Sequence, residues 1–392
     1  MGDFLDDLRH QTDFKADARK ARPEHPDTFL DTQTGEIGAR FDEPTADAEV
    51  VDRFRLLLES WGFDPAEFRI EDDRIEFRTW TQPSGGQAFY YKGRVVRRRR
   101  PDDLSDLVSE IRKHRTTKQP PPDGDHTYVV ALSDWQLGKA DGDGTRGTVA
   151  RVLAAIDAVA GDVKHARKRY NLGRLVVAGL GDLIENCDGQ YAMQTFATEL
   201  DRREQVNVAR RLLVKAFQTW APLFASVDVV CVPGNHGENR RAGKSYTTFG
   251  DNDDVAVFDQ LRDVLAENER YGHVRFGIPD KDLSATLQVG DVVVGFAHGH
   301  QAKGSGPMAH VKVWQWWKNQ AHGRTPIGDA DVIVTGHFHH FVHLNQGART
   351  FIQAPALDGG SEWFEASYGY STEAGTLTVV VGPGRVERVR VL

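Results

Sequence analysis

Cysteine is nearly missing from this chain. Cys187 and Cys231 are the only two in 392 residues, which excludes a disulfide framework and a thiolate metal cluster. Both read as small buried hydrophobes in a reducing compartment. No apolar run approaches about 20 residues, so an ordinary membrane-spanning helix is excluded. The opening Met1-Gly2-Asp3-Phe4-Leu5-Asp6-Asp7 is acidic and has no apolar stretch of the secretory kind. The expectation is a soluble, cytoplasmic protein. A formal net charge of −8 argues against a chain built wholly to grip polyanions, while leaving room for a local basic patch. No internal repeat is visible. An apolar content of 40% suffices for a core, and the length calls for a main domain plus an accessory segment.

Residues 1–48 are rich in Asp, Glu, Arg, Thr and Pro, and this composition predicts a flexible acidic arm. A small α+β module with a basic stretch follows over 49–119. Val51, Phe54, Leu57, Leu58 and Trp61 recur at helical spacing, and Gly62 stands where a helix would be capped. Short strands are expected at Phe68–Ile70 and Arg74–Arg78, with a hairpin turning at Lys92-Gly93 between Ala88–Tyr91 and Arg94–Val96. The basic stretch comprises Lys92, Arg94, Arg97 to Arg100, Arg112, Lys113, Arg115 and Lys118, with acidic residues interspersed. Pro120-Pro121-Pro122-Asp123-Gly124 reads as a stiff linker and the main domain boundary. Over 125–392 strands alternate with helices and then give way to hairpins, the pattern of a mixed sheet system covered by helices.

Five motifs, each just after an apolar strand, carry the chemistry of that domain. They are Asp134-Trp135-Gln136, Gly181-Asp182-Leu183-Ile184-Glu185, Gly234-Asn235-His236-Gly237-Glu238, His298-Gly299-His300 and Gly336-His337-Phe338-His339. Carboxylate, amide and imidazole are ligands for divalent metals not held by thiolate. Ligands in open α/β sheets collect at the carboxyl ends of strands, where these motifs lie. One Gly-Asp or His-Gly pair alone is more often a turn; the ordered series is what points to a site.

The series resembles the calcineurin-like metallophosphoesterase superfamily, whose motifs run D-x-H, G-D-x-x-D/E, G-N-H-D/E, a lone H and G-H-x-H. The match covers about residues 125–392 and implies a four-layer α/β/β/α sandwich. It also implies two divalent ions, Mn²⁺ first and Mg²⁺, Fe²⁺ or Zn²⁺ as alternatives. Asp134, Asp182 and His339 would hold one ion. Asp182, Asn235, His298 and His337 would hold the other, with Asp182 bridging. The pair would generate hydroxide for attack on phosphorus, and His236 would meet the phosphate or leaving group. His300, His310, His322, His340 and His343 match no family position and read as core or surface histidines. Glu185 and Glu238 read as residues that orient neighbours or face solvent.

Gln136 departs from the pattern, since a histidine normally ligates there. Its amide oxygen is a weaker donor that favours Mn²⁺ or Mg²⁺ over Zn²⁺. Lys139, Arg240 and Arg241 lie on loops after the first and third motifs and either meet substrate phosphates or are solvated. The Trp-rich helix around Val311–Lys318 is first a core element, and second a surface for stacking bases. Ser361-Glu362-Trp363-Phe364 is a further candidate wall of the cleft. The reading is a metal-dependent phosphodiesterase or nuclease acting on nucleic acid, with the Mre11/SbcD-type nucleases among the relatives that the resemblance implies. A small-molecule or cyclic-nucleotide phosphodiesterase is the first alternative and a non-catalytic binding scaffold the second. A homo-oligomer is compatible with any of these.

Overall fold

The computed structural model describes residues 28–30, 36–63, 68–70, 75–81, 87–97, 104–115, 123–191, 194–241, 243–304, 306, 308–360, 365–366, 369 and 372–392. Residues 1–27, Arg98 to Arg100, Lys118, Pro120 to Pro122 and Ser361 to Phe364, singled out above, lie outside them. The chain divides into two compact units, Met1–Asp106 and Leu107–Leu392.

In the first unit, β1 (Thr28–Leu30) and β2 (Glu36–Phe41) precede helix α1 (Asp47–Ser60). Strands β3 (Phe68–Ile70), β4 (Glu76–Thr81) and β5 (Gln87–Arg97) follow. Val50, Phe54 and Leu58, four residues apart, put one face of α1 onto Ile37, Ala39, Phe41 and Tyr91 of the sheet. Two expectations are corrected here. Residues 28–30 and 36–41, assigned to a flexible arm, supply two antiparallel strands, because Ile37, Ala39 and Phe41 give β2 an apolar face. The hairpin at Lys92-Gly93 does not form, and β5 runs straight through it. A Cβ on Gly93 would lie 2.9 Å from the Phe54 ring, so this glycine serves close packing rather than a turn.

Helix α2 (Leu104–Lys113) enters the second unit at Leu107. The unit boundary therefore precedes the proline run. Within that unit Asn268 Nδ2 donates to the Ile111 carbonyl at 2.6 Å, and Arg112 pairs with Glu267. The sandwich then begins with β6 (His126–Leu132), α3 (Gly144–Ala166), β7 (Leu172–Gly179), α4 (Arg202–Trp220) and β8 (Ser226–Cys231). A short ribbon, β9 (Arg240–Arg241) and β10 (Lys244–Ser245), precedes α5 (Asp253–Ala266), β11 (Val274–Gly277), β12 (Ser284–Val289) and β13 (Val292–Ala297). The chain closes with α6 (His310–His322), β14 (Val332–Thr335), β15 (Val342–Gln346), β16 (Arg349–Gln353), β17 (Leu377–Gly382) and β18 (Arg385–Val391).

One sheet has the order β11-β8-β7-β6-β17-β18, and β6, β7, β8 and β11 are parallel. The other has the order β12-β13-β14-β16-β15, parallel through β13, β14 and β16. Alternate residues on the facing surfaces interlock. Val129, Ala131, Val176, Ala178 and Val230 of the first sheet meet Val292, Val294, Phe296, Val334 and Ile352 of the second. The outer faces are apolar as well. On the first sheet, Tyr128 donates to Asp162 of α3 at 2.8 Å, and Phe258 of α5 lies against Gly179. On the second, Ile333 and Phe351 pack under Val313 and Trp317 of α6. The architecture is a four-layer α/β/β/α sandwich. The Trp-rich helix is a core element: Trp317 is buried, and its indole donates to the Ile327 carbonyl at 2.8 Å. No helix among the described residues is long and apolar enough to cross a membrane.

Candidate metal centre

Sheet register decides which motifs meet. Leu132, Gly179 and Cys231 are neighbours across β6, β7 and β8, so Asp134, Asp182 and Asn235 leave three adjacent strands at the same end. Ala297 pairs with Thr335 in the other sheet and brings His298 and His337 out together. Loop backbones then stitch the exits: Asp134 N–H donates to Gly181, Gln136 N–H to Asp182, and Gly336 N–H to His298, at 2.9–3.1 Å.

These turns are strained. Of the seven non-glycine residues with left-handed φ among the described residues, five are Asp134, Gln136, Asp182, His337 and His339. Each such residue costs about 1–2 kcal/mol. Strain of this kind persists where the surroundings over-determine it, most often at functional sites. Packing also demands glycine at 234. A Cβ there would sit 2.1 Å from Asp182 Oδ1 and 2.3 Å from Asp182 N.

One half of the cluster is a converging set of donors. His298 is fully buried, and its Nδ1 lies 2.6 Å from the Leu180 carbonyl, which turns Nε2 inward. There Nε2 meets Asp182 Oδ2 at 2.9 Å, Asn235 Oδ1 at 3.1 Å and His337 Nδ1 at 3.1 Å. Gln190 holds the Asn235 amide nitrogen at 3.3 Å, leaving the amide oxygen for the cluster. Two imidazoles, a carboxylate and an amide oxygen in a buried site form a donor set for a divalent cation, and these residues fit one.

The electrostatics agree. Burial opposes a charge on His298, yet Asp182 pushes its pKa up to about 9; burial and the His298 charge push His337 down to about 3. Against burial, His298 and His236 hold Asp182 far below the usual carboxylate range.

The other half contains Asp134 and His339, with Asp134 Oδ1 3.3 Å from His339 Nε2. Asp134 Oδ2 accepts from Ser133 Oγ and from the His337 N–H at 2.9 Å. Asp358 Oδ2 lies 3.4 Å from His339 Nδ1 and fixes its ring. Gln136 Oε1 accepts from Lys139 Nζ at 3.1 Å, and its Nε2 lies 3.3 Å from His236 Nε2.

His236 sits between the halves. Its N–H donates to Asp182 Oδ1 at 2.8 Å, and its Nδ1 faces the Glu185 carbonyl at 2.9 Å and carboxylate at 3.2 Å. Burial pulls its pKa down, but Asp182 and Glu185 outweigh this and raise it to about 9. Glu185 is itself buried and accepts from Tyr191 at 2.8 Å.

The structure thus joins Asp134, Gln136, Asp182, Asn235, His236, His298, His337, His339 and Lys139 in one network. Arg240 is one step removed, bound to Glu238 at 2.7 Å, and Glu238 lies 3.8 Å from His300. His300 is drawn against His298, ring centres 5.3 Å apart, although its sequence context reads as a bland histidine. Arg241 is exposed on the β9–β10 ribbon, away from the ligands' contacts. Two residues escape a reading of the sequence. Asp254 is fully buried in the first turn of α5 and accepts from Asp182, Leu183 and Gly234 N–H groups at 2.8–3.1 Å. Its context, Asn252-Asp253-Asp254, is also that of an ordinary helix cap. Asp358 precedes Gly359-Gly360 and reads as turn chemistry.

No family model matches the chain, and no curated protein matches it. Solved structures align with it at low scores. A predicted phosphoesterase from Streptococcus pneumoniae is 11% identical with a TM-score of 0.29, over 65% of this chain and 83% of that one. A Vps29 mutant from Entamoeba histolytica is 13% identical at 0.31, over 68% and 99%. An archaeal phosphodiesterase is 14% identical at 0.27, over 68% and 99%. Scores and identities this low carry no functional argument. The family likeness stands on the ordered motifs and on the sandwich whose strand ends bring them together. In both respects the chain is similar to the calcineurin-like metallophosphoesterase superfamily and has its four-layer fold.

Proposed function

We propose that this chain is a metal-dependent phosphodiester hydrolase that acts on nucleic acid. The observation that carries the hydrolase reading is the convergence of Asp182, Asn235, His298 and His337 beside a histidine clamped by a carboxylate. Asp182, Asn235, His298 and His337 would hold a divalent ion, with Asp134 and His339 next to them. When bound, such a cation supplies Lewis acidity toward a phosphate oxygen and the attacking water. The remaining work falls to the protein. Glu185 keeps the His236 ring oriented and a proton on Nδ1, which turns Nε2 toward the cluster. From there His236 can meet the phosphate or the leaving oxygen.

Exposed aromatic and cationic side chains support a nucleic-acid substrate. Tyr191 and Phe196 lie on the segment that supports Glu185, and Tyr246 and Phe249 follow the third motif; all four are exposed. Arg241 and Lys244 are exposed between them in sequence. Aromatics interspersed with cations suit a single strand, whose bases stack while its phosphates are neutralised. The test is turnover of bis-p-nitrophenyl phosphate with Mn²⁺, beside His236→Ala and Asp182→Ala. Activity only in the unaltered protein is expected, and equal turnover in all three would sink the hydrolase reading. Cleavage of labelled single-stranded DNA or RNA tests the substrate class; turnover of the small diester without either would transfer the assignment to small phosphodiesters.

A further inference from the structure

The two halves of the cluster are not equivalent, and the difference centres on a largely enclosed lysine. Lys139 Nζ lies 2.5 Å from Asp358 Oδ2 and 3.1 Å from Gln136 Oε1. The side chains of Lys139 and Asp358 are only 12% and 3% exposed. Lysine is rarely buried unless its charge is matched. Here the matching groups are the amide that replaces a family histidine and a carboxylate that also touches His339 at 3.4 Å. Gln136, Lys139, Asp358, His339 and Asp134 therefore form one continuous chain of polar contacts with a fixed cation inside it.

We propose that this centre is built for a single divalent ion, held by Asp182, Asn235, His298 and His337, and that the Lys139 ammonium takes the place of a second ion in the other half. This rests on reading the cluster as a metal centre. Three observations carry it. The ligand oxygen that Gln136 could offer is engaged by Lys139. Among the described residues, the group of three ionisable side chains whose ligand atoms come within 4.8 Å of one another is Asp182, His298 and His337, all in one half. Finally, an ammonium is a compact point charge, and placing a dication beside it is repulsive. The exchange of histidine for glutamine then has a physical partner. A neutral imidazole would serve a metal, whereas an amide oxygen accepts from an ammonium.

Metal stoichiometry tests this without reference to turnover. Full-length protein is stripped with chelator and titrated with Mn²⁺ by calorimetry, and bound ions are counted by elemental analysis and electron paramagnetic resonance. The expected result is one tightly held Mn²⁺ per chain with the six-line spectrum of an isolated ion. Lys139→Arg keeps the charge and should stay at one. Lys139→Met, and more strongly Gln136→His with Lys139→Met, should admit a second ion and show the spectrum of a coupled pair. A lysine with a merely structural role would not move the count in that direction. Two coupled ions in the unaltered chain, or one ion in a folded double variant, would overturn the inference. If Lys139→Met does not fold, the unaltered and Lys139→Arg proteins still decide. Failure to bind Mn²⁺ at all would overturn the metal centre itself, and the proposed function with it.

Discussion

Asp254 offers the sharpest test of how the site is held, because it touches no expected ligand side chain yet fixes the backbone of two ligand loops. Its Oδ2 accepts from the N–H groups of Asp182 and Gly234, and its Oδ1 from Leu183. Asp254→Ala leaves three buried N–H groups without a partner, at about 1–3 kcal/mol each, offset in part because a buried carboxyl is removed. The net loss should be about 4 kcal/mol. For a unit of this size that corresponds to a fall of about 10 °C in Tm. Asp254→Asn keeps one acceptor and should lose roughly half as much. There is also a pH signature. Burial and the Asp182 charge push the Asp254 pKa from 3.8 up to about 7, against the pull of its backbone donors. A raised folded-state pKa means that this group's contribution is complete below about pH 4 and is lost as pH rises through about 7. In chelator-treated protein, Tm of Asp254→Asn should therefore vary less between pH 5 and 8 than that of the unaltered chain. With metal restored, affinity for Mn²⁺ should fall about 10- to 100-fold in Asp254→Ala, as for other residues that orient ligands from behind. Calorimetry supplies both readouts. An Asp254→Ala protein that melts within about 2 °C of the unaltered one and binds Mn²⁺ equally well would refute the reasoning.

Other outcomes follow from the same geometry. Glu185→Gln removes one of the charges that raise His236, so in chelator-treated protein the His236 midpoint, read by NMR, should fall from about 9 by roughly 1–2 pH units. The stability that His236 contributes, complete below its ordinary 6.5 and lost as pH rises through about 9, should shrink accordingly. An unchanged midpoint would dissociate Glu185 from His236. Gly234→Ala forces a methyl group into Asp182 and should abolish tight Mn²⁺ binding even where the protein folds; retained affinity would show that the loop yields. Cys231 is 1% exposed and burial pushes its thiol well above the usual range, so a thiol reagent at pH 8 should leave it unlabelled until denaturant is added. Rapid labelling of both thiols in the native protein would contradict the sandwich core.

Much of the second unit can be read along the chain because its strands are buried on both faces. Val129 to Leu132, Val176 to Ala178, Val229 to Val232 and Val292 to Ala297 are near-continuous apolar runs, the pattern of parallel strands between layers. Local sequence places a ligand residue after each one, so the membership of the site is legible without coordinates. The first unit is less legible. Ile37, Ala39 and Phe41 alternate within a polar stretch whose average composition resembles an unstructured arm. Lys92-Gly93 looks like a turn until the Phe54 ring is placed beside Gly93.

By itself, then, the sequence determined the layer pattern, the order of the motifs and the kinds of donor brought to one end of the sheets. These depend on periodicity and on the turn following each strand, which are local properties. Only the tertiary structure decided what each donor faces. It joined Lys139 to Asp358 across 219 residues, held three ligand-loop N–H groups on Asp254, and turned the Gln136 oxygen toward an ammonium. Such pairings depend on which strands lie side by side and on the left-handed turns at their ends, and no short stretch of sequence contains that information.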